Sequence, residues 1–269
     1  MMRALWTGAS GMIAQQTNVD TIGNNLANVN TTGYKKETVE FKSLMYQTLQ
    51  SKSTDSEGIE KPLGIQVGLG VRNSAISTNF TQGALLESGG DFDFAIEGEG
   101  FFMVRMLDGS TAYTRNGNLT MALGNDGYTL TDGEGNPILD KDLNPIVVPN
   151  QYEIADVEVD RFGNLTVEGE DGNQHNIGVQ IGLAIFNNPG GLNKIGGSNY
   201  KETAASGVPN YVTPDEAGSK LIKGKLEGSN VQVVDEMVNL IVAQRAYEFN
   251  SKVINASDEM LQQANNLRN

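Results

Sequence analysis

Apolar residues recur every seven positions at both ends of the chain, and this repeat limits the fold more than any other feature of the sequence. The N-terminal series is Leu5, Met12, Val19 and Leu26, and the C-terminal series is Leu240, Tyr247, Ile254 and Leu261. No proline lies between residues 5 and 29 or between residues 230 and 267. A seven-residue repeat keeps apolar side chains on one side of a helix. We therefore predict a long helix at each end of the chain, the second one capped by Ser229 or Asn230.

The residues beside these two apolar edges are rich in uncharged amides, such as Gln15, Gln16, Asn24, Gln244 and Asn250. An apolar helix edge often packs on the core of its own domain and has no other role. Here, however, eight apolar side chains are too few to offset the entropy of ordering two such long segments. Uncharged amides also favour packed, hydrogen-bonded surroundings over a solvated surface. We therefore expect the helices to need further partners, either the central domain or other copies of the chain.

The middle of the chain, from about residue 78 to 205, follows a different pattern. Short stretches of alternating apolar and polar residues are separated by turn dipeptides such as Asp108-Gly109, which is typical of antiparallel strands. The motif RNGNLT at residues 115–120 recurs as RFGNLT at residues 161–166. We predict a mainly antiparallel β domain here, and an exposed loop over the polar residues 50–61.

The composition excludes several classes of protein. The 269 residues carry a net charge of −14, which argues against binding to nucleic acid or anionic lipid. The chain has no cysteine and a single histidine, His175, which excludes thiolate metal sites and most histidine chemistry. No apolar run approaches the roughly 20 residues of a membrane-spanning helix. We expect no cofactor, no metal, no nucleic-acid partner and no membrane insertion.

Two acidic motifs have the residue types of a catalytic or a calcium-binding site. Asp91 and Asp93 alternate with two phenylalanines, which predicts that the acids face outward and the aromatic rings inward. The segment 132–136 is similar to the start of a calcium-binding loop, but Pro137 takes the sixth position, where a glycine is needed. We predict an ordinary turn there. Since no catalytic constellation is present in the sequence, we expect no enzymatic activity.

The segment NNLANVNTTGYKK, residues 24–36, resembles the N-terminal signature of the bacterial flagellar rod and hook family. The matching residues are Asn25, Leu26, Asn28, Thr31, Gly33 and Tyr34. A second similarity, near the C-terminus, includes Gln244, Arg245, Ala246 and Tyr247. The central segments GEGFFMV (98–104) and YTRNG (113–117) are similar to the family as well. The resemblance implies that these signature residues belong to an assembly interface.

The patterns and the resemblance together predict an α+β chain. Long N- and C-terminal helices are expected to pair as a coiled-coil domain, with a central, mainly antiparallel β domain and an extended linker region. The expected divisions are 1–35 for the N-terminal helix, which pairs with 229–269; 36–77 for the linker, including the stretch 48–64; 78–220 for the β domain; and 221–269 for the return segment and C-terminal helix.

The resemblance implies a structural role. The start of the chain, its length and the stretch 48–64 are more similar to distal rod subunits than to hook or proximal rod members of the family. Such a subunit polymerises helically into a rigid hollow drive shaft that transmits torque from motor to hook and conducts exported subunits. Heterologous contacts that do not close into a ring produce a tube of this kind.

The resemblance also implies partners and a location. The expected partners are other copies of the chain, proximal rod proteins, the hook protein, ring proteins around the rod if the cell has two membranes, and the flagellar type III export apparatus. The expected location is the basal body, outside the cytoplasmic membrane, reached without a cleaved signal peptide. Two alternatives stay open: a proximal rod or hook-type axial subunit, and a secreted acidic β-domain enzyme or binding protein.

Overall fold

The computed structural model describes residues 2–50, 64–124, 127–168 and 174–266. These residues form two α-helices, α1 (Met2–Ala27) and α2 (Val233–Asn266). The strands between them are β1 (Glu37–Ser43), β2 (Tyr46–Gln50), β3 (Ile65–Gly68), β4 (Val71–Thr78), β5 (Leu85–Glu87), β6 (Phe94–Glu97), β7 (Phe101–Arg105), β8 (Thr111–Thr114), β9 (Leu119–Leu123), β10 (Gly127–Asp132), β11 (Val147–Pro149), β12 (Val157–Val159), β13 (Asn164–Glu168), β14 (Gln174–Gln180), β15 (Leu183–Ile185), β16 (Asn193–Gly196), β17 (Asn199–Lys201), β18 (Asn210–Val212), β19 (Lys220–Lys223) and β20 (Lys225–Glu227). The predicted α+β fold, with terminal helices and a central antiparallel β domain, is confirmed.

The chain divides into two compact units. Unit 1 contains Met1–Ala27, Glu37–Thr78 and Gln232–Asn269, and unit 2 contains Asn28–Lys36 and Asn79–Val231. Unit 1 therefore holds both helices and strands β1 to β4, while unit 2 holds strands β5 to β20. Each unit is built from segments that are far apart in the sequence.

In unit 1 the two helices run antiparallel, as two contacts show. Gly8, early in α1, lies against Ile254 in the second half of α2, and Asn25, late in α1, lies against Glu236 at the start of α2. Strands β1 and β4 pair antiparallel, as do β2 and β3. Apart from Thr78 at the end of β4, these four strands lie within residues 36–77, which we predicted to be a linker. Most of the predicted stretch 48–64 lies outside the described residues.

Helix α1 ends earlier, and helix α2 begins later, than the sequence suggested. Helix α1 ends at Ala27, and Gly33, with a φ of 69°, adopts a left-handed conformation that cannot continue a helix. Helix α2 begins at Val233, so the predicted cap at Ser229 or Asn230 is wrong. The Asn230 side chain is instead hydrogen-bonded to Lys36 and to Asn79 within unit 2.

Unit 2 is built from small antiparallel sheets. The largest has six strands in the order β16-β17-β8-β7-β15-β18, and two three-stranded sheets have the orders β11-β10-β9 and β12-β13-β14. Strand β19 pairs with β6, and β20 pairs with β5. One apolar core includes Phe102, Leu130 and Ile181, and a second, mainly aromatic core includes Phe101, Phe186 and Tyr200.

The predictions for the two acidic motifs have different outcomes in the structure. Asp93 is 6% exposed, so the prediction that this acid faces outward is wrong. The reason is that β6 begins only at Phe94, and Asp93 instead closes the preceding turn, where its carboxylate accepts a hydrogen bond from the Ser88 hydroxyl. The turn predicted at 132–136 is confirmed, since Asp132 Oδ1 accepts the backbone N–H groups of Glu134 and Asn136.

Tyr113 makes unit 2 sensitive to alkaline pH. The side chain is 1% exposed, and its hydroxyl oxygen lies 3.3 Å from that of Tyr211. Burial of the hydroxyl raises the pKa of Tyr113 above its ordinary value, and the contact with Tyr211 raises it further. The folded chain therefore keeps a proton that the unfolded chain loses above about pH 10. Because the unfolded state then binds fewer protons, the free energy of unfolding must fall as the pH rises.

We expect a decrease of about 1.4 kcal/mol per pH unit above about pH 10 from this residue alone. Urea unfolding of the wild-type chain and of Tyr113→Phe over this pH range measures the difference, because the variant lacks the titrating hydroxyl. If the free energy of unfolding fell equally steeply with pH in the two proteins, Tyr113 would not be the source of the pH dependence.

Candidate assembly surface and anchoring cluster

Three charged side chains meet in the interior of unit 2, and we call Lys35, Arg115 and Glu227 the anchoring cluster. Lys35 Nζ lies 2.5 Å from Glu227 Oε1, and Arg115 Nη1 lies 3.3 Å from Glu227 Oε2. The side chains of Lys35 and Glu227 are completely buried, and that of Arg115 is nearly so. Removing one partner from a buried ion pair leaves an uncompensated charge, so all three residues depend on one another.

The cluster is also bonded to the backbone at several points, whereas the buried Arg115 Nε has no hydrogen-bond partner among the described residues. Lys35 Nζ donates to the carbonyl of Thr81 at 2.9 Å, and Glu227 Oε1 accepts the N–H of Gly83 at 2.9 Å. Burial lowers the pKa of Lys35, and the Glu227 carboxylate opposes that shift. The cluster therefore joins the segments around residues 35, 81 and 227 at one buried point.

Gly33 allows the signature segment to approach this region closely. Its N–H donates to the Glu227 carbonyl at 2.8 Å. A Cβ at this position would lie 2.6 Å from the backbone nitrogen of Asn116, and the φ of 69° is unfavourable for any other residue type. Thr32 Oγ1 donates to Asn116 Oδ1 at 3.0 Å beside it. The glycine of the signature is thus required by the backbone geometry.

In unit 1, Asn25 is the buried centre of a second polar network. Its Nδ2 donates to the Glu37 carbonyl at 2.8 Å and lies 3.0 Å from Glu236 Oε2. Its Oδ1 accepts the N–H of Glu37 at 2.9 Å. Both Asn25 and Glu236 are buried. One amide therefore joins α1, β1 and α2.

Several of the buried residues of the two helices are small. They are Gly8, Gly11, Ala14, Ala243 and Ser257, and the other buried residues are Thr21, Ile22, Asn25 and Glu236. A Cβ on Gly8 would lie 2.9 Å from Ile254 Cγ1, and one on Gly11 would lie 2.7 Å from Asn250 Nδ2. Of the predicted apolar residues with seven-residue spacing, Ile254 takes part in this contact between the helices. All of them are half-buried except Tyr247, which is more exposed.

Helix α2 has a second apolar surface that the sequence analysis missed. We call Val234, Val238, Ile241, Val242 and Phe249 the outer face, and each of them is more than half exposed. At 100° per residue these positions fall within about one third of the helix circumference, opposite the buried Ala243. A helix that is apolar on two opposite sides can bury both only with a second partner.

The signature residues do not form one site. Asn25 and Leu26 lie in unit 1, whereas Asn28, Thr31, Gly33 and Tyr34 lie in unit 2. Thr31 Oγ1 donates to Asn28 Oδ1 at 3.1 Å, and the Lys194 ammonium lies 5.3 Å from the centre of the Tyr34 ring.

The C-terminal signature lies on α2. Gln244, Arg245 and Tyr247 are exposed, and Ala246 is half-buried. Gln244 and Tyr247 line a shallow groove together with Gln16, Val19 and Glu248. Arg245 Nη1 lies 2.8 Å from Glu248 Oε2. These residues are therefore accessible on the helix surface of unit 1.

Lys35, Arg115 and Glu227 were not singled out from the sequence, since charged residues usually lie at the surface. The available signal was their position, because Lys35 and Arg115 fall within segments that carry the family resemblance. Across the described ranges, no group of three or more histidine, cysteine, aspartate or glutamate residues is arranged to hold a metal ion. Neither α1 nor α2 is long and apolar enough to cross a membrane, and the described residues contain no other candidate helix.

Three segments of the chain match protein-family models. Residues 5–35 match the flagella basal body rod protein family, residues 95–167 match the flagellar hook protein FlgE/F/G D1 domain, and residues 222–267 match the flagellar basal body rod FlgEFG protein C-terminal family. The first and last matches contain the predicted helical repeats. The central match contains Arg115 and most of β6 to β13.

Full-length relatives are also similar to this chain. The flagellar basal-body rod protein FlgG of Borreliella burgdorferi is 44% identical over 270 residues, covering 100% of this chain and 99% of the relative. FlgG of Bacillus subtilis is 40% identical and covers 100% of both chains. The flagellar hook-basal body complex protein FlhP of Bacillus subtilis is 28% identical, again over 100% of both.

Proposed function

Since the chain belongs to the flagellar basal-body rod protein family, we propose that it is a structural subunit of the distal rod that joins other copies through the outer face of α2. In this role the subunits form a helical, hollow drive shaft that transmits torque from motor to hook. The chain catalyses no reaction in this role.

The observation that carries the interface proposal is the exposure of the outer face. Val234 is 73% exposed and Phe249 is 62% exposed, although both are apolar side chains on a well-formed helix. Exposed apolar patches of this kind mark interaction surfaces. The opposite side of α2 already packs on α1 within the same chain, so the outer face is available to a neighbouring copy. Repeated heterologous contacts of this type extend without limit and produce a tube.

The substitution Ile241→Asp tests this interface. Ile241 is 57% exposed, so a carboxylate there stays solvated in the free subunit and should change the free energy of unfolding by less than about 0.5 kcal/mol. In the assembled rod the same carboxylate would be buried against apolar side chains without a partner, which is strongly unfavourable. We expect a folded subunit, no rods in electron micrographs of isolated basal bodies, and loss of swimming in soft agar.

The matched control is Asn255→Asp, which adds the same charge at an exposed position of α2 outside the outer face. We expect this variant to assemble and swim like wild type. Normal rods and normal swimming in the Ile241→Asp strain would overturn the interface proposal.

The same role implies further partners. We propose that the distal rod contacts proximal rod proteins at one end and the hook protein at the other, that ring proteins surround it in a cell with two membranes, and that the flagellar type III export apparatus exports the chain. The proposed location is the basal body outside the cytoplasmic membrane. The signature residues of α2, Gln244 to Tyr247, belong to the same helical assembly region in this proposal.

A further inference from the structure

The side chain of Asn230 joins three separate segments of unit 2. Its Oδ1 accepts the backbone N–H of Lys36 at 2.7 Å. Its Nδ2 lies 2.9 Å from the Asn79 carbonyl, 3.1 Å from the Thr81 carbonyl and 3.0 Å from Thr81 Oγ1. One amide group thus holds the segments around residues 36, 80 and 230 together.

These are the segments by which the chain leaves or enters unit 2. The chain passes between the units four times, after residues 27, 36, 78 and 231. Lys36, Asn79 and Asn230 lie at or beside three of these positions. The N–H of Asn79 also donates to the Lys36 carbonyl at 2.8 Å. Within unit 2, therefore, three of the four connecting segments are hydrogen-bonded to one another.

The anchoring cluster fixes the same three segments a short distance away. Lys35 precedes Lys36, its ammonium bonds to the Thr81 carbonyl, and Glu227 lies three residues before Asn230. The Gly228 N–H further donates to the Ala84 carbonyl at 2.8 Å. The three segments are therefore joined twice. The buried charges of the anchoring cluster join them inside unit 2, and the hydrogen bonds of Asn230 join them where the chain leaves unit 2.

We propose that Asn230 is a mechanical clamp that makes these three segments carry load together. This inference rests on the proposed function, in which the subunits transmit torque. Hydrogen bonds that are loaded one after another fail at a lower force than the same bonds loaded in parallel. With the Asn230 contacts in place, a pull on any one segment is shared by the other two before it reaches the buried cluster. Without them, the segment around residue 230 is pulled separately from the other two, which stay joined by the backbone hydrogen bond from Asn79 to Lys36.

The test compares Asn230→Ala and Asn230→Asp with wild type. The aspartate keeps the acceptor for Lys36 but loses the donor to Asn79 and Thr81, so it breaks the clamp with almost no change in shape. The control is Asn210→Asp, at an exposed position of unit 2. In the purified full-length chain, hydrogen exchange at the Lys36 amide should accelerate by about tenfold in Asn230→Ala. The near-ultraviolet circular dichroism of the tyrosines should stay unchanged in both variants.

In cells, we expect both Asn230 variants to assemble rods and to swim in dilute medium, but to lose swimming in medium thickened with a viscous polymer, where the load is high. The control should swim in both media. Swimming of the Asn230 variants like the control at high viscosity would overturn the clamp, and so would the absence of rods in both variants, because Asn230 would then be needed for assembly. If the Ile241→Asp strain also assembles rods, the proposed interface fails independently of the clamp.

Discussion

Replacing Glu227 by glutamine is expected to destabilise unit 2 by about 3 to 5 kcal/mol, because it removes the carboxylate that neutralises two buried cations. Lys35 Nζ and Arg115 Nη1 both contact this carboxylate. Glutamine keeps almost the same shape, so the change tests the charge and not the packing. Removing one member of a buried ion pair leaves the other charge unpaired in a medium that solvates it poorly.

Urea unfolding of the full-length chain, followed by the near-ultraviolet circular dichroism of the tyrosines, measures this effect. Six of the eight tyrosines lie in unit 2, so the signal reports mainly on that unit. They are Tyr34, Tyr113, Tyr128, Tyr152, Tyr200 and Tyr211. The control is Glu216→Gln. Glu216 pairs with Lys141 at 2.6 Å, but both side chains are about half exposed, and a solvent-exposed pair of this kind contributes little to the free energy of unfolding. If Glu227→Gln and Glu216→Gln lowered the free energy of unfolding by the same amount, the anchoring cluster would not stabilise unit 2 more than an exposed ion pair does.

The substitution Asn25→Asp is expected to destabilise unit 1 by a similar amount, about 3 to 5 kcal/mol at neutral pH. The new carboxylate oxygen would replace the Nδ2 donor that lies 3.0 Å from Glu236 Oε2 and 2.8 Å from the Glu37 carbonyl. Two acceptors would then face each other, and two carboxylates would share a buried site. Like charges at this distance raise the pKa of at least one carboxyl group.

The effect of Asn25→Asp should also depend on pH in a defined direction. In the folded variant the raised pKa means that more protons are bound than in the unfolded chain, where the aspartate pKa is about 3.9. The variant therefore recovers stability as the pH falls toward that value, and loses it as the pH rises. Urea unfolding followed by the far-ultraviolet signal of the helices, at several pH values, measures the recovery. Asn255→Asp, exposed on α2, should change the free energy of unfolding by less than about 0.5 kcal/mol, and a matching result for Asn25→Asp would contradict the assigned network.

The fold class could be predicted because its main signals are local in the sequence. The seven-residue repeats lie within single segments, and the turn dipeptides separate adjacent strands. The outer face of α2 could not be predicted from the seven-residue repeat, because that repeat marks a single side of the helix and Val238 and Ile241 lie on the side opposite Ala243. Apolar residues on both sides of a helix weaken its periodicity, so the second edge is harder to detect.

The anchoring cluster could not be predicted for a different reason. Lys35 and Glu227 are separated by 192 positions, and neither neighbouring sequence indicates that its charge is buried. Lysine and glutamate are almost never fully buried unless they are paired. A sequence without aligned relatives carries no information about such a pairing. The same limitation applies to Asn25 and Glu236, which are 211 positions apart.

The position of Asn230 also bears on how chains of this architecture can change in size. The long part of unit 2, Asn79–Val231, begins and ends at neighbouring points, since Asn230 Nδ2 lies 2.9 Å from the Asn79 carbonyl. A domain whose two ends are adjacent can be inserted into a host, enlarged or exchanged without separating the segments of the host on either side. The long part of unit 2 can in this sense be replaced as one piece, and longer or shorter versions of it are compatible with the same two helices.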